Sequence, residues 1–276
     1  MRLEALKATR RRYLMCRPTY FAVEYAINPW MDPNSPVDAD RAIRQWEALR
    51  RVYLDLGHTV EEIDPLPGLP DMVFAANGAT VVDGKVLAVQ FRDAERADEA
   101  PAYRSWFERA GFPVYEPKHV NEGEGDILLA GDVLLAGTGF RTAHAEHAHL
   151  QEVFGRPVIT MQLVDPRFYH LDTALCVLDD KTVAYLPAAF SPGSQAVLRR
   201  LFPDAVLAEP ADAEVFGLNA VSDGRHVVLP AQATGLAAQL RDRGYEPIGV
   251  DLSELRKAGG GPKCCTLVVR GLEADK

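Results

Sequence analysis

Cysteine is scarce in this sequence: four residues, Cys16, Cys176, Cys264 and Cys265, among 276. They follow no spacing of a disulfide framework, and an adjacent pair rarely closes a useful disulfide. This usage points to a reducing, cytoplasmic compartment. Positive charge is also short. The formal net charge of −9 argues against a nucleic-acid partner, since phosphate binding needs a basic face. An acidic chain suits a small cationic partner. No apolar run approaches the roughly 20 residues of a membrane span. The basic N-terminal stretch Met1–Arg12 has no apolar segment behind it that could act as a signal peptide. The glycine signatures of dinucleotide and triphosphate sites are missing, as is the G-x-S-x-G turn of serine hydrolases. One metal-like signal, His144-Ala-Glu-His-Ala-His149, falls inside a helical pattern without a cysteine partner at zinc spacing. It reads as a solvated helix face, with no metal.

An apolar share of 47% allows a sizeable core. Within Arg41–Gly57, the residues Ile43, Trp46, Leu49, Tyr53 and Leu56 share one face at helical spacing. An acidic cap precedes them at Asp38, and Gly57 suits the position after the helix. Short paired strands follow. Asp71–Val82 and Lys85–Phe91 flank Asp83-Gly84, a strong hairpin turn. The pattern returns at 126–136, 173–185 and 218–229. Helical patterns lie between, at 97–110, 143–154, 193–202, 231–244 and 252–258. The closing strand at Cys265 is expected to join the opening strand around Leu14–Cys16. A hairpin-plus-helix unit repeated about five times cannot bury each sheet alone, so the units should pack around one axis. No linker composition divides the chain. The expectation is an α/β fold in one domain, 1–276.

Four stretches carry candidate chemistry. In Ala258-Gly-Gly-Gly-Pro-Lys-Cys-Cys-Thr-Leu-Val-Val-Arg270, a thiol joins a glycine loop to a buried strand. Lys263 and the loop amides are expected to favour its thiolate; the plain alternative is two small buried hydrophobes. Asn121-Glu-Gly-Glu-Gly-Asp126 alternates glycine with acids before a strand. In Phe168-Tyr-His-Leu-Asp-Thr173, His170 and Asp172 are two apart and would share a face of an extended chain. In Pro70-Asp-Met-Val-Phe-Ala-Ala-Asn-Gly78, Asp71 and Asn77 flank an apolar run. Arg92, Arg96 and Arg141 sit at corresponding ends of successive units, where they could clamp a carboxylate.

Together these stretches resemble the guanidino-group-modifying superfamily, which includes dimethylarginine dimethylaminohydrolases, arginine deiminases, arginine dihydrolases and amidinotransferases. The carrying residues are Pro70–Asn77, Glu122–Asp126, Arg141, His170–Thr173 and Gly259–Thr266, in the family's order. The resemblance implies a five-bladed α/β propeller with substrate in a central channel. It implies Cys264 as nucleophile, His170 as general acid and base, and Glu122 as catalytic carboxylate, with Glu124 its rival. It implies substrate contacts from Asp71, Asn77, Asp172, Arg92 and Arg141, with Asn28 lining the entrance. No cofactor is implied. Dimethylaminohydrolases and deiminases usually carry aspartate where this chain has Asn77; asparagine there resembles the dihydrolases.

The implied reaction is hydrolysis of the guanidinium C–N bond of arginine or an Nω-methylated arginine through a cysteine amidino intermediate. Citrulline or ornithine is released with ammonia or methylamines. Two alternatives remain at this stage. One is an amidinotransferase, although the family's transferases tend to carry further insertions. The other is a non-catalytic ribosome-binding propeller of the initiation-factor type. A homo-oligomer is compatible with everything above.

Overall fold

The computed structural model describes residues 6–271. Met1–Ala5, the start of the basic N-terminal stretch, and 272–276 lie outside the described residues. Among the described residues the chain forms five three-stranded sheets, and they share one plan. The first sheet opens with β1 (Arg12–Cys16), α1 (Ala39–Asp55) and β2 (Thr59–Ile63). The second holds β3 (Thr80–Val82), β4 (Lys85–Leu87), α2 (Glu99–Arg109) and β5 (Val114–Tyr115). The third holds β6 (Ile127–Ala130), β7 (Val133–Thr138), α3 (Glu146–Phe154) and β8 (Val158–Gln162). The fourth follows the single turn α4 (Leu171–Ala174) with β9 (Leu175–Val177), β10 (Val183–Tyr185), α5 (Pro192–Leu201) and β11 (Val206–Leu207). The fifth follows α6 (Pro210–Ala213) with β12 (Val221–Ser222), β13 (His226–Pro230), α7 (Thr234–Asp242) and β14 (Glu246–Val250). The last strand, β15 (Leu267–Val268), completes the first sheet.

In each sheet two strands pair antiparallel, and the central one then pairs parallel with the strand after a helical crossover. Such a crossover is what joins parallel neighbours. β15 pairs antiparallel with β1, Tyr13 opposite Val268, so the first and last strands among the described residues meet in one sheet.

Side chains alternate across a strand, and here both faces are buried. Along β1, Tyr13 and Met15 enter one apolar cluster with Val221 and Val228 of the fifth sheet. Leu14 and Cys16 enter another with Val81 and Val86 of the second. Val82 and Leu87 meet Ile127 and Leu134 of the third sheet. Leu128 and Leu135 meet Leu175, Val183, Val227 and Leu229 of the fourth and fifth. Apolar contact thus links each sheet to the next and the fifth to the first. Burial on both faces is why these strands read as continuous apolar runs. Each fully buried aliphatic side chain contributes roughly 1.5–3 kcal/mol.

In helix α1, Trp46, Leu49 and Tyr53 of the expected stripe are buried, with Ala42 beside them, while Ile43 and Leu56 are half-buried; the Asp38 side chain caps Arg41 N–H at 2.9 Å. Three local expectations are corrected. Most of 71–82 is not strand: Pro70–Val73 and Ala75–Gly78 are 3₁₀ turns, and only Thr80–Val82 is extended. A short buried apolar run does not declare its own backbone state. Helix 252–258 shrinks to a 3₁₀ turn, Leu255–Ala258. His147 does not sit on a solvated face; it is buried, bonded to Thr160 Oγ1 at 2.9 Å and Gly137 O at 3.3 Å.

Candidate active site

The site residues occupy corresponding places. Asn77 lies three residues before β3, Asp172 three before β9, Asn219 two before β12 and Cys264 three before β15. The chain positions chemistry where each first strand begins.

Cys264 is buried at 2% exposure. Its Sγ donates to Asp172 Oδ2 at 3.3 Å and accepts from Asn219 Nδ2 at 3.0 Å. Its own N–H donates to Asn219 Oδ1 at 3.0 Å. Burial, and then the facing Asp172 carboxylate, push the thiol well above its usual range; the Gly261 amide opposes them. This overturns the expectation of a lysine-promoted thiolate. Lys263 turns away, its Nζ donating to Glu124 Oε2 at 2.8 Å and Thr266 O at 3.0 Å. Burial also raises Asp172, to about 6, against the lowering charges of His170 and Lys263.

Of the two candidate glutamates, Glu122 meets His170: Nε2 to Oε2 is 2.7 Å. Burial pushes Glu122 upward, but the His170 hydrogen bond and the Arg141 charge outweigh it and hold the carboxyl well below its usual range. Glu124 is instead spent on Lys263, the Arg270 guanidinium and Val268 N–H. The glycines of this stretch make room. A methyl at Gly125 would stand 2.3 Å from Asn77 Nδ2 and 3.2 Å from the His170 ring. Gly123 has φ +59, and a methyl there would lie 2.7 Å from Ala76 O and Ala79 O. His170 and Asp172 do not share a strand face, because His170 caps the turn α4 and Asp172 lies inside it.

Asn77 accepts from Arg96 Nη1 at 2.8 Å and donates to Glu122 O at 3.2 Å. A guanidinium only donates, so Arg96 fixes which end of the amide faces it. Arg96 is buried, paired twice with Glu99 at 2.8 Å, and lies over the Phe91 ring at 4.7 Å. Asp71 Oδ2 accepts from Tyr25 Oη at 2.8 Å. Three buried polar atoms of this cluster have no protein partner: Asp71 Oδ1, Asp172 Oδ1 and His170 Nδ1. Buried polar atoms without partners mark where a ligand's groups belong.

Around the rim, Arg141 pairs with Glu122 at 2.9 Å and Asp93 at 3.2 Å, donates to Ile27 O at 2.9 Å, and stacks on Tyr169 at 4.9 Å. Arg92 is exposed and donates to Phe140 O. Both line one depression of about 380 Å³ with Thr138, Phe140 and Gln162. Asn28 clips the chain, donating to Ala258 O at 3.0 Å and accepting from Trp30 N–H at 2.9 Å. Trp30 Nε1 reaches Arg167 O at 2.8 Å, and Tyr169 Oη reaches Gly259 O at 2.7 Å. These bonds tie Asn28 and Trp30 to the chain around Ala258 and Arg167, and Tyr169 to the glycine loop.

No protein-family model matches the chain. Over 259 residues it is 57% identical to the N(G),N(G)-dimethylarginine dimethylaminohydrolase of Mycobacterium tuberculosis, covering 94% of this chain and 86% of that protein. The chain belongs to the guanidino-group-modifying enzymes. Among relatives in this family, the bifunctional arginine dihydrolase/ornithine cyclodeaminase AgrE of a Nostoc species is 38% identical. That match covers 95% of this chain but 38% of the longer protein. The backbone matches the N-terminal domain of ArgZ, a cyanobacterial arginine dihydrolase, with a TM-score of 0.91 and 36% identity. It covers 94% of this chain and 98% of that one, which was captured covalently bound to a reaction intermediate. A cysteine-to-serine variant of that domain holds substrate.

Arg96, expected beside Arg92 and Arg141 to clamp a carboxylate, is instead buried and committed to Glu99, Asn77 Oδ1 and Asp71 O. Asn219 belongs to no motif, and its one signal is its place before the first strand of the fifth unit. Among the described residues, no helix is long and apolar enough to cross a membrane.

Proposed function

We propose that this protein hydrolyses the guanidinium C–N bond of arginine or an Nω-methylated arginine through a covalent intermediate on Cys264. The carrying observation is three buried polar atoms without protein partners, Asp71 Oδ1, Asp172 Oδ1 and His170 Nδ1, the second of them on the carboxyl that accepts from the Cys264 sulfur. Two of the three belong to carboxyl groups, which suits a planar cation rich in N–H donors. We further propose that the five sheets are blades of one propeller domain, with substrate bound in its central channel. The chain of apolar clusters and the β1–β15 closure support that arrangement.

A bound guanidinium offsets the Asp172 charge that raises the thiol, so Cys264 ionises with substrate in place. The thiolate attacks the guanidinium carbon, His170 gives a proton to the departing amine, and an amidino-enzyme remains. His170 then takes a proton from water, the oxygen adds to the same carbon, and the C–S bond breaks to release a ureido product. Glu122 holds the His170 ring. Asp71, Asn77 and Asp172 orient the guanidinium. Arg92 and Arg141 receive the substrate's carboxylate, Arg141 by giving up part of its present pairing. Residues 25–31, including Asn28, close the entrance.

Asn77 favours a second reading of the same site. Arg96 takes one lone pair of the Asn77 carbonyl and Glu122 O one of the amide's N–H groups, which leaves a second N–H suited to a ureido oxygen. That would hold the first product for a second hydrolysis, taking arginine to ornithine. Purified protein incubated with arginine and with dimethylarginine, followed by analysis of citrulline, ornithine and released amines, tests both readings. Cys264→Ser should abolish turnover. No turnover of any guanidino compound with Cys264 intact and reduced would overturn the proposal, and a binding activity untouched by Cys264→Ser would favour a non-catalytic role.

A further inference from the structure

We propose that Asn219 is a catalytic residue, whose side-chain amide clamps Cys264 at two points and donates to its sulfur as the thiolate forms. This deepens the reading of Cys264 as nucleophile and rests on it. Asn219 is fully buried. Its orientation follows from chemistry: the Cys264 backbone N–H only donates, so the atom 3.0 Å away is the amide oxygen. The NH₂ group must then face the sulfur, at 3.0 Å, with its other hydrogen directed to Asp172 O at 3.2 Å. Each hydrogen has its acceptor, so the amide has no reason to turn.

Sequence and fold both serve this contact. Asn219 O accepts from Lys263 N–H at 3.3 Å, and Asn219 N–H donates to Phe216 O at 2.9 Å. A methyl at Gly261 would stand 2.8 Å from Asn219 Oδ1, so the third glycine of the loop is what admits the amide. The remaining titratable groups around the sulfur are Asp172 and the neighbouring thiol of Cys265, which oppose its ionisation, together with Tyr169. The His170 charge lowers Asp172, the carboxyl that faces the sulfur. Asn219 is thus a side-chain donor directed at the sulfur in a setting that otherwise disfavours the anion. A donor gains strength as its acceptor becomes charged, so it works most in the step that makes the nucleophile.

The test is alkylation of the full chain by iodoacetamide across pH, with modification of Cys264 followed by peptide mass, in the unsubstituted protein, Asn219→Asp and Asn219→Leu. Asn219→Asp keeps the acceptor for the Cys264 N–H but replaces the donor. Asn219→Leu keeps the approximate volume and removes both. The expected result is an inflection moved alkaline by about one pH unit or more in each. That means about tenfold less thiolate at a fixed pH, and kcat for arginine should fall more than KM changes. A folded variant with the unsubstituted protein's alkylation profile would overturn the assignment. In the unsubstituted protein the Asn219 side-chain amide resonances should move as the thiol titrates, and resonances that stay fixed would overturn it without any variant. Alkylation that bypasses Cys264, with turnover surviving Cys264→Ser, would instead overturn the reading of the nucleophile itself.

Discussion

Arg96→Met should be among the most damaging single changes in this protein, and for two separable reasons. The guanidinium makes two bonds to Glu99, one to Asn77 Oδ1 and one to Asp71 O, and stacks on Phe91. Burial works against its charge, yet Glu99 outweighs burial and keeps it protonated. Methionine fills much of the volume but leaves Glu99, itself fully buried, without a partner. Breaking a buried ion pair from one side costs about 3–5 kcal/mol. At roughly 2–4 °C per kcal/mol for a chain near this size, the melting temperature should fall by about 6–20 °C. Urea unfolding at neutral pH gives the same quantity. Arg96→Met with Glu99→Leu should recover part of the loss, because the double change leaves no orphaned charge. The second effect is catalytic. Asn77 loses the donor that sets its amide, so kcat/KM measured well below the melting transition should drop by about tenfold, the worth of one hydrogen bond of about 1.4 kcal/mol. A single variant within 1 kcal/mol of the unsubstituted protein, or a double variant no better than the single, would refute this account.

Asp172→Asn removes the charge that faces the Cys264 sulfur and helps raise it, so the thiol should alkylate faster at neutral pH while turnover falls by about 100-fold or more; iodoacetamide labelling beside arginine kinetics checks both. Gly125→Ala places a methyl 2.3 Å from Asn77 Nδ2 and close to the His170 ring, so kcat should collapse with a smaller effect on the melting temperature. Asp223 is pushed up by burial, but hydrogen bonds from His58 and His226 outweigh this and hold it well below the usual 3.8. A depressed carboxyl contributes stability that is present above its unfolded value and lost as pH falls toward its folded one. Melting curves of Asp223→Asn between pH 5 and pH 2 should therefore fall less steeply than those of the unsubstituted protein.

Much of the architecture was legible because its signals are local. Asp83-Gly84 marks a hairpin whatever surrounds it, and the apolar stripe of α1 needs only helical geometry. The repeat was legible because five strand-pair-plus-helix units recur along the chain. The 3₁₀ turns at Pro70–Gly78 were not, since a buried apolar run of five residues, Met72–Ala76, suits several backbone states equally. The short turn holding Asp172 was hidden for the same reason.

The electrostatics of the site lay further out of reach. Lys263 stands beside Cys264 in sequence, yet its ammonium faces Glu124, because adjacent side chains in this turn diverge. Glu122 and Glu124 are nearly identical as text, and only the fold sends one to His170 and the other to Lys263 and Arg270. By itself the sequence determined the repeat, most of the strands and helices, and a cysteine, histidine and acid set in a recognisable order, since these depend on side-chain period and turn chemistry. The tertiary structure decided which carboxylate serves the histidine, which arginine sets Asn77, and that Asn219 grips the sulfur. Those choices depend on distances of about 3 Å between residues 19 to 48 positions apart, and no local rule encodes such distances.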